Sequence, residues 1–120
     1  MTERLIGDLA ALRRWCREAE ALVEGKPDAL FSESRVYELA LSKAIEQVGE
    51  VCRRIITRHS EFARDHVDLE LEAAYGMRNR LAHGYDDVIV EIVVNAARHD
   101  VPKLRTAVEK ILINAGEDLS

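Results

Sequence analysis

The sequence is poor in residues that interrupt or cross-link a chain: its 120 residues include two prolines, six glycines, two cysteines and one tryptophan. So little proline and glycine excludes a collagen-like or linker-rich chain, and a hydrophobic content of 48% excludes intrinsic disorder. Two cysteines are too few for a disulfide scaffold. Cys16 and Cys52, far apart in sequence and each set in a helical apolar pattern, read as buried, reduced thiols rather than as a catalytic thiol or a bridge. No apolar run approaches the length of a membrane span, and the start, MTERLIGDLAALRRWC, is charged from its third residue, so the chain is expected in the cytoplasm and not in a membrane. An excess of positive charge is missing too. Lys and Arg number 17 against 22 Asp and Glu, for a net charge of -5, which excludes indiscriminate nucleic-acid binding through a wholly basic surface. A local basic site is still open. Between Val51 and His66 stand Arg53, Arg54, Arg58, Arg64, His59 and His66 against Glu61 and Asp65 only, either a solvated helix face followed by a loop or a place for an anion. A chain of this length buries roughly two-thirds of its unfolded surface, enough for a core without metal or disulfides. A single domain over residues 1–120 is expected.

What is present is helical periodicity. Leu5, Leu9, Leu12, Cys16, Ala19 and Val23 recur at spacings of four and three, the stripe of an amphipathic helix that Gly25, Lys26 and Pro27 stop. A second helix is predicted from Ser32 or Ser34, whose hydroxyls can cap it, to beyond Ile56, with Val36, Leu39, Ile45, Val48, Cys52, Ile55 and Ile56 on its buried side. Gly49 in its interior costs about 1 kcal/mol relative to Ala and therefore points to close packing against a neighbour. After a polar loop from His59 to His66, a third helix runs from a capping Asp68 to about Ala82 on Leu71, Ala74, Met77 and Leu81. The run VIVEIVV favours a strand by local propensity, but no second strand-like run exists to pair with it, so it is assigned to a helix. Val101 and Pro102 break that segment, and Leu104, Val108, Ile111 and Ala115 carry a last helix toward Gly116. The fold class is an all-α bundle of about five helices.

The chemistry gathers at Met77 to Tyr85, where Arg78, Asn79, Arg80, His83 and Tyr85 end an otherwise apolar-striped helix. Asn79 and His83, four apart, share a face, while Arg78 lies about 140° from His83 around a continuous helix. Convergence requires either that the helix ends near Gly84 and turns Tyr85 back, or that a symmetry-related copy supplies a second Arg and His. A histidine to move a proton and an always-charged guanidinium suit phosphodiester cleavage. In RNA the 2′-hydroxyl is an internal nucleophile, so no metal or cofactor is required: His83 handles the proton and Arg78 meets the charge growing on the phosphoryl oxygens. The products would be a 2′,3′-cyclic phosphate and a 5′-hydroxyl. Spacing alone equally allows a helix-terminal His and Arg that bind carbonyls and carboxylates.

The run RNRLAHGY, Arg78-x4-His83-x-Tyr85, resembles the motif of HEPN-domain proteins and in particular of the HepT toxins. AIEQVGEVCRR before it, from Ala44 to Arg54, and DDVIVEIVVNAARHDVPKLRTAVEKIL after it resemble that family in order and spacing, so the similarity covers essentially the whole chain. One departure concerns tryptophans often found before the motif helix and after it: the former stretch has none, and Val94 occupies the latter position. The resemblance implies an all-α HEPN fold, a homodimer with facing motifs, and a toxin with metal-independent endoribonuclease activity on RNA. It makes Arg78 and His83 the catalytic pair and Asn79 a supporting residue. It makes Tyr85 the target of AMP transfer from ATP by a partner nucleotidyltransferase antitoxin of the MntA kind. AMP on Tyr85 would exclude substrate by charge and by bulk, and an unmodified Tyr85 can stack on a base.

Arg80, Arg53 and Arg54 are candidates for an RNA-contacting rim, which His99 with Arg98, Lys103 and Arg105 would extend. Glu46 and Glu50, four apart, read as a salt-bridged or solvated face, or as an acidic pair beside Arg78 or Arg80, and not as metal ligands. His59 and His66 lack zinc-site spacing. Trp15 reads as core or dimer interface. Two other readings compete with the nuclease: a non-catalytic nucleotide- or RNA-binding partner of a nucleotidyltransferase, and a helical dimerisation protein without chemistry.

Overall fold

The computed structural model describes residues 1–84 and 89–120, and among these every regular element is helical. Helix α1 spans Glu3–Val23, and the Thr2 hydroxyl caps it by accepting from the Leu5 N–H at 3.1 Å. A short α2, Ala29–Glu33, leads into α3, Arg35–Arg58, which Ser34 caps by accepting from the Tyr37 N–H at 3.3 Å. Then come α4 (Ser60–Asp65), a 3₁₀ turn (Val67–Leu69) and α5 (Leu71–His83). The chain ends with α6 (Val90–Asn95), a π turn (Ala96–Asp100) and α7 (Val101–Asn114). The β-branched run is therefore helical from Val90 on, burying Val93 and Val94.

Helix α3 is central: it packs most extensively on α5 and α1, and α1 in turn packs on α7. Leu9, Leu12 and Cys16 of α1, Leu41, Val51, Cys52 and Ile55 of α3, and Val108 and Leu112 of α7 form the fully buried heart of this core, with Phe31 of α2 inserted beside them. Trp15 is half-buried against it. Both thiols are buried as expected: burial pushes Cys52 up to about 12 and Cys16 higher still, so neither is a ready nucleophile. Among the described residues no helix is long and apolar enough to cross a membrane.

Four local expectations need correction. Val36 and Leu39, expected on the buried side of the second helix, are exposed, because the core face of α3 begins at Leu41. The polar stretch from His59 to His66 is helix α4, because Phe62 turns into the core and stacks on the His66 ring, with centroids 4.1 Å apart. Asp68 does not cap α5: it sits in the 3₁₀ turn, and Glu70, in the left-handed region at φ 53°, precedes the helix without a side-chain bond. Pro102 does not break the helical path. The π turn just before it bonds the Val101 N–H to the Ala96 carbonyl, and Pro102 falls in the first turn of α7, where its fixed φ suits the helix. At the far end Gly116, at φ 92°, closes α7: its N–H bonds the Ile113 carbonyl at 2.9 Å and the Glu117 N–H bonds the Leu112 carbonyl at 3.0 Å.

Helices α3 and α5 approach closely at Gly49. A methyl group there would lie 2.5 Å from the Ala74 carbonyl oxygen and nearer still to Arg78 Cβ, so α3 and α5 meet with no side chain between them. At Gly7 of α1, by contrast, an added methyl group would have nothing within 4 Å. Gly49→Ala is accordingly expected to destabilise the fold by about 1–3 kcal/mol. Gly7→Ala, at an open helical position, is expected to stabilise it by about 0.5–1 kcal/mol. Urea melts of both variants check the opposite signs.

Candidate active site

The contact at Gly49 decides where Arg78 goes. With no side chain at Gly49, the Arg78 stem lies directly on α3, and its guanidinium reaches the next residue along that helix, Glu50. Arg78 Nε stands 3.2 Å from Glu50 Oε2 as an ion pair, but its N–H is not aligned on that oxygen, and the atom is buried without a hydrogen-bond acceptor. Arg78 Nη1 donates to Asn79 Oδ1 at 3.1 Å. Glu50 is also gripped from its own helix: Arg53 Nη2 donates to Oε1 at 2.7 Å, and Arg53 Nε lies 3.1 and 3.2 Å from the two oxygens. These bonds from Arg53 hold the Glu50 carboxyl below its ordinary value; partial burial opposes them, and the charges of Arg53, Arg78 and Arg54 add to them. The structure therefore brings together Arg78, Asn79, Glu50 and Arg53. Of the suggested acidic pair, it is Glu50 that meets Arg78.

His83 stands apart from this cluster. Helix α5 stays regular through His83, and the Gly84 N–H closes its last turn on the Arg80 carbonyl at 3.0 Å. Five residues of α-helix place His83 about 7.5 Å along the axis and about 140° around from Arg78. Arg78 is accordingly half-buried against α3, while His83 and Arg80 are exposed. Among the described residues His83 makes no hydrogen bond or ion pair, which leaves its ring open to a ligand or another chain. Tyr85 lies outside the described residues.

The remaining basic candidates separate. Arg53 is committed to Glu50, and Arg54, one residue on, pairs instead with Asp8 of α1, with Nε 3.7 Å from Oδ1. Arg58 Nη1 is 3.8 Å from the same oxygen, and His59 Nε2 is 2.9 Å from Asp8 Oδ2. Asp8, only 7% exposed, was not among the residues the sequence singled out. Its signal was there: it sits three residues after Leu5 and four before Leu12, on the buried stripe of α1. The rim extension through Arg98 and Arg105 does not form. Arg98 donates to Asp28 at 2.8 Å and to the Val23 and Lys26 carbonyls, closing the α1–α2 connection. Arg105 donates to Glu20 and Glu109 at 2.6 Å each, and Glu109 also accepts from Arg13 at 2.7 Å, riveting α7 to α1. Among the described residues no three His, Cys, Asp or Glu side chains gather as a metal site.

This arrangement, an arginine packed on the preceding long helix and a histidine five residues later at the exposed end of its own, lies within a region that matches a known family model. That model, described as "Ribonuclease HepT-like", covers residues 12–111. The chain belongs to the HepT-like ribonuclease family. A probable ribonuclease HepT of Thermococcus cleftensis is 28% identical over 74 residues, which are 62% of this chain and 64% of that protein. The match thus spans less than two thirds of the relative's length. No solved structure matches the chain. The HepT-like match takes in Glu50, Arg53, Arg78, Asn79 and His83, whereas Asp8 lies before its first residue.

Because Glu50 is depressed below its ordinary 4.5, the stability it supplies is complete above that pH and is lost as the pH falls through its lower folded value. Glu50→Gln is expected to cost on the order of 1 kcal/mol at neutral pH, with solvent screening limiting the figure, and progressively less in acid. Denaturant melts of both proteins across the acid range read that convergence.

Proposed function

We propose that the protein is a HepT-type toxin that cleaves RNA by internal attack, without needing a metal ion, acting in the cytoplasm as a homodimer. The observation that carries this reading is the separation of Arg78 from His83 on one regular helix, in a chain of the HepT-like ribonuclease family. Each needs a complement that a second copy would supply across a twofold interface. In the proposed step, the RNA 2′-oxygen bonds to phosphorus and its proton passes to the His83 imidazole. The phosphorus–O5′ bond breaks, and the departing 5′-oxygen takes a proton from the partner subunit's His83. Arg78, steadied by Glu50 and by Asn79, faces the negative charge that builds on the non-bridging oxygens. The products are a 2′,3′-cyclic phosphate and a 5′-hydroxyl end. Arg80, exposed on the same helix, supports the path of the RNA backbone.

Neutralisation is proposed to come from an MntA-like nucleotidyltransferase antitoxin. It transfers AMP from ATP to the Tyr85 oxygen with release of pyrophosphate, adding a negatively charged phosphate two residues after His83 in the chain.

Incubation with total RNA in excess EDTA tests the nuclease reading. Wild-type protein is expected to release fragments with cyclic phosphate ends, and His83→Ala to be slower by about 10²-fold or more. Absence of cleavage by folded, dimeric, unmodified wild-type protein would favour a non-catalytic RNA- or nucleotide-binding partner instead. With a cognate nucleotidyltransferase, ATP and Mg²⁺, wild type is expected to gain AMP mass and Tyr85→Phe none; labelling that survives in Tyr85→Phe removes the assignment.

A further inference from the structure

The cluster on Asp8 holds more positive charge than one carboxylate calls for. Asp8 accepts its single short contact from His59, at 2.9 Å, while Arg54 and Arg58 stay 3.7 and 3.8 Å away and donate no hydrogen bond to it. Arg54 Nε is buried without an acceptor. Arginines that tie α7 and the α6–α7 turn to the first helices behave differently: Arg13, Arg98 and Arg105 each reach a carboxylate oxygen at 2.6–2.8 Å. Two guanidiniums against one carboxylate leave a net positive charge before His59 is counted, and the arginine side chains keep 31% and 47% of their surface open to solvent.

The cluster's place on α3 connects it to the candidate active site. Glu50, Arg54 and Arg58 are spaced at successive fours and form one row along the helix, with Arg54 about 6 Å and Arg58 about 12 Å beyond the level where Arg78 meets Glu50. Arg54 is near enough to Glu50 for its charge to act on that carboxyl. A strand whose scissile phosphate lies at Arg78 would carry its neighbouring phosphates along this row.

We infer that Arg54 and Arg58, held apart over Asp8 and flanked by His59, form a phosphodiester subsite for the RNA backbone beside the cleavage site. The inference rests on the RNA reading of the site, and its ligand is the phosphate of a single-stranded RNA. Asp8 is the positioning residue: it fixes the imidazole and draws both guanidiniums to one side of α3 without satisfying them. An approaching phosphate diester, with one negative charge and two open oxygens, pairs with the solvent-open ends of the two guanidiniums, which Asp8 does not bond. The contact positions the strand and carries no base preference.

The test uses a 2′-O-methyl oligoribonucleotide of about a dozen nucleotides, whose blocked 2′-oxygen separates binding from cleavage. Its affinity is measured by anisotropy between about 50 and 200 mM salt. Arg58→Gln is expected to weaken binding several-fold at the low end and to reduce the slope of log affinity against log salt by about 0.7, one phosphate contact. Arg58→Lys is expected to recover the slope. Lys110→Gln removes the charge of an exposed lysine on α7 and is expected to leave the slope unchanged. Thermal melts confirm that each variant is folded. A wild-type slope in Arg58→Gln, an equal fall in Lys110→Gln, or no binding by wild type at low salt would overturn the subsite. Salt-sensitive binding lost in Arg58→Gln, together with failure to cut ordinary RNA, would uphold the subsite and remove the nuclease reading.

Discussion

The bundle turns on the place where α3 and α5 touch backbone to side chain, at Gly49. Helices normally keep 8–10 Å between axes because side chains fill the gap. Here one position is left empty so that the Ala74 carbonyl and the Arg78 stem can lie against α3. The helical penalty of a mid-helix glycine is offset by the packing it permits. The same contact is architectural and chemical. It joins the two helices with the most extensive mutual packing, and it delivers a guanidinium to the carboxylate one residue further along.

The electrostatics follow a division of labour among arginines. Those toward α7 and the α1–α2 connection are saturated: Arg105 and Arg13 share Glu109, and Arg98 is bound by a carboxylate and two carbonyls. Saturated charges hold elements together and have little left for a ligand. Arg78 of α5 and two arginines of α3 are less complete. Arg78 has an ion pair but an unaligned Nε, and Arg54 and Arg58 have long contacts only. In a protein of net charge -5, such local incompleteness is what distinguishes an anion-receiving strip from an acidic surface elsewhere.

Much of this was legible in the sequence because it rests on period and on single-residue chemistry. The apolar stripes of α1, α3, α5 and α7 place the core, and an interior glycine in an otherwise strong helix announces the close approach at Gly49. From Val90 on the β-branched run is helical because a lone strand has nothing to pair with, an argument about sequence context that overrides local preference. What stayed hidden depends on distance across the fold. Helix α4 is anchored by one aromatic, too short a pattern to carry a period. Asp28 and Glu20, which bind Arg98 and Arg105, lie 70 and 85 residues away in sequence, so that charge read as free when it is spent internally. Residue identity brought Arg78 and His83 forward, but only the packing of α5 on α3 sets one against α3 and leaves the other exposed at the helix end.

The π turn at Ala96–Asp100 has a bearing on how this chain can change length. A π turn is how a helix absorbs one additional residue while the segments on either side keep facing the same way, as Val93 and Leu104 both do toward the core. Removing one residue there would convert it to an ordinary α turn and keep both faces inward, yet it would drive the Pro102 ring against the carbonyl four residues before it. Length and proline are thus coupled at this point: a relative one residue shorter here is expected to have replaced the proline as well, so that two apparently separate differences in an alignment would be a single structural event.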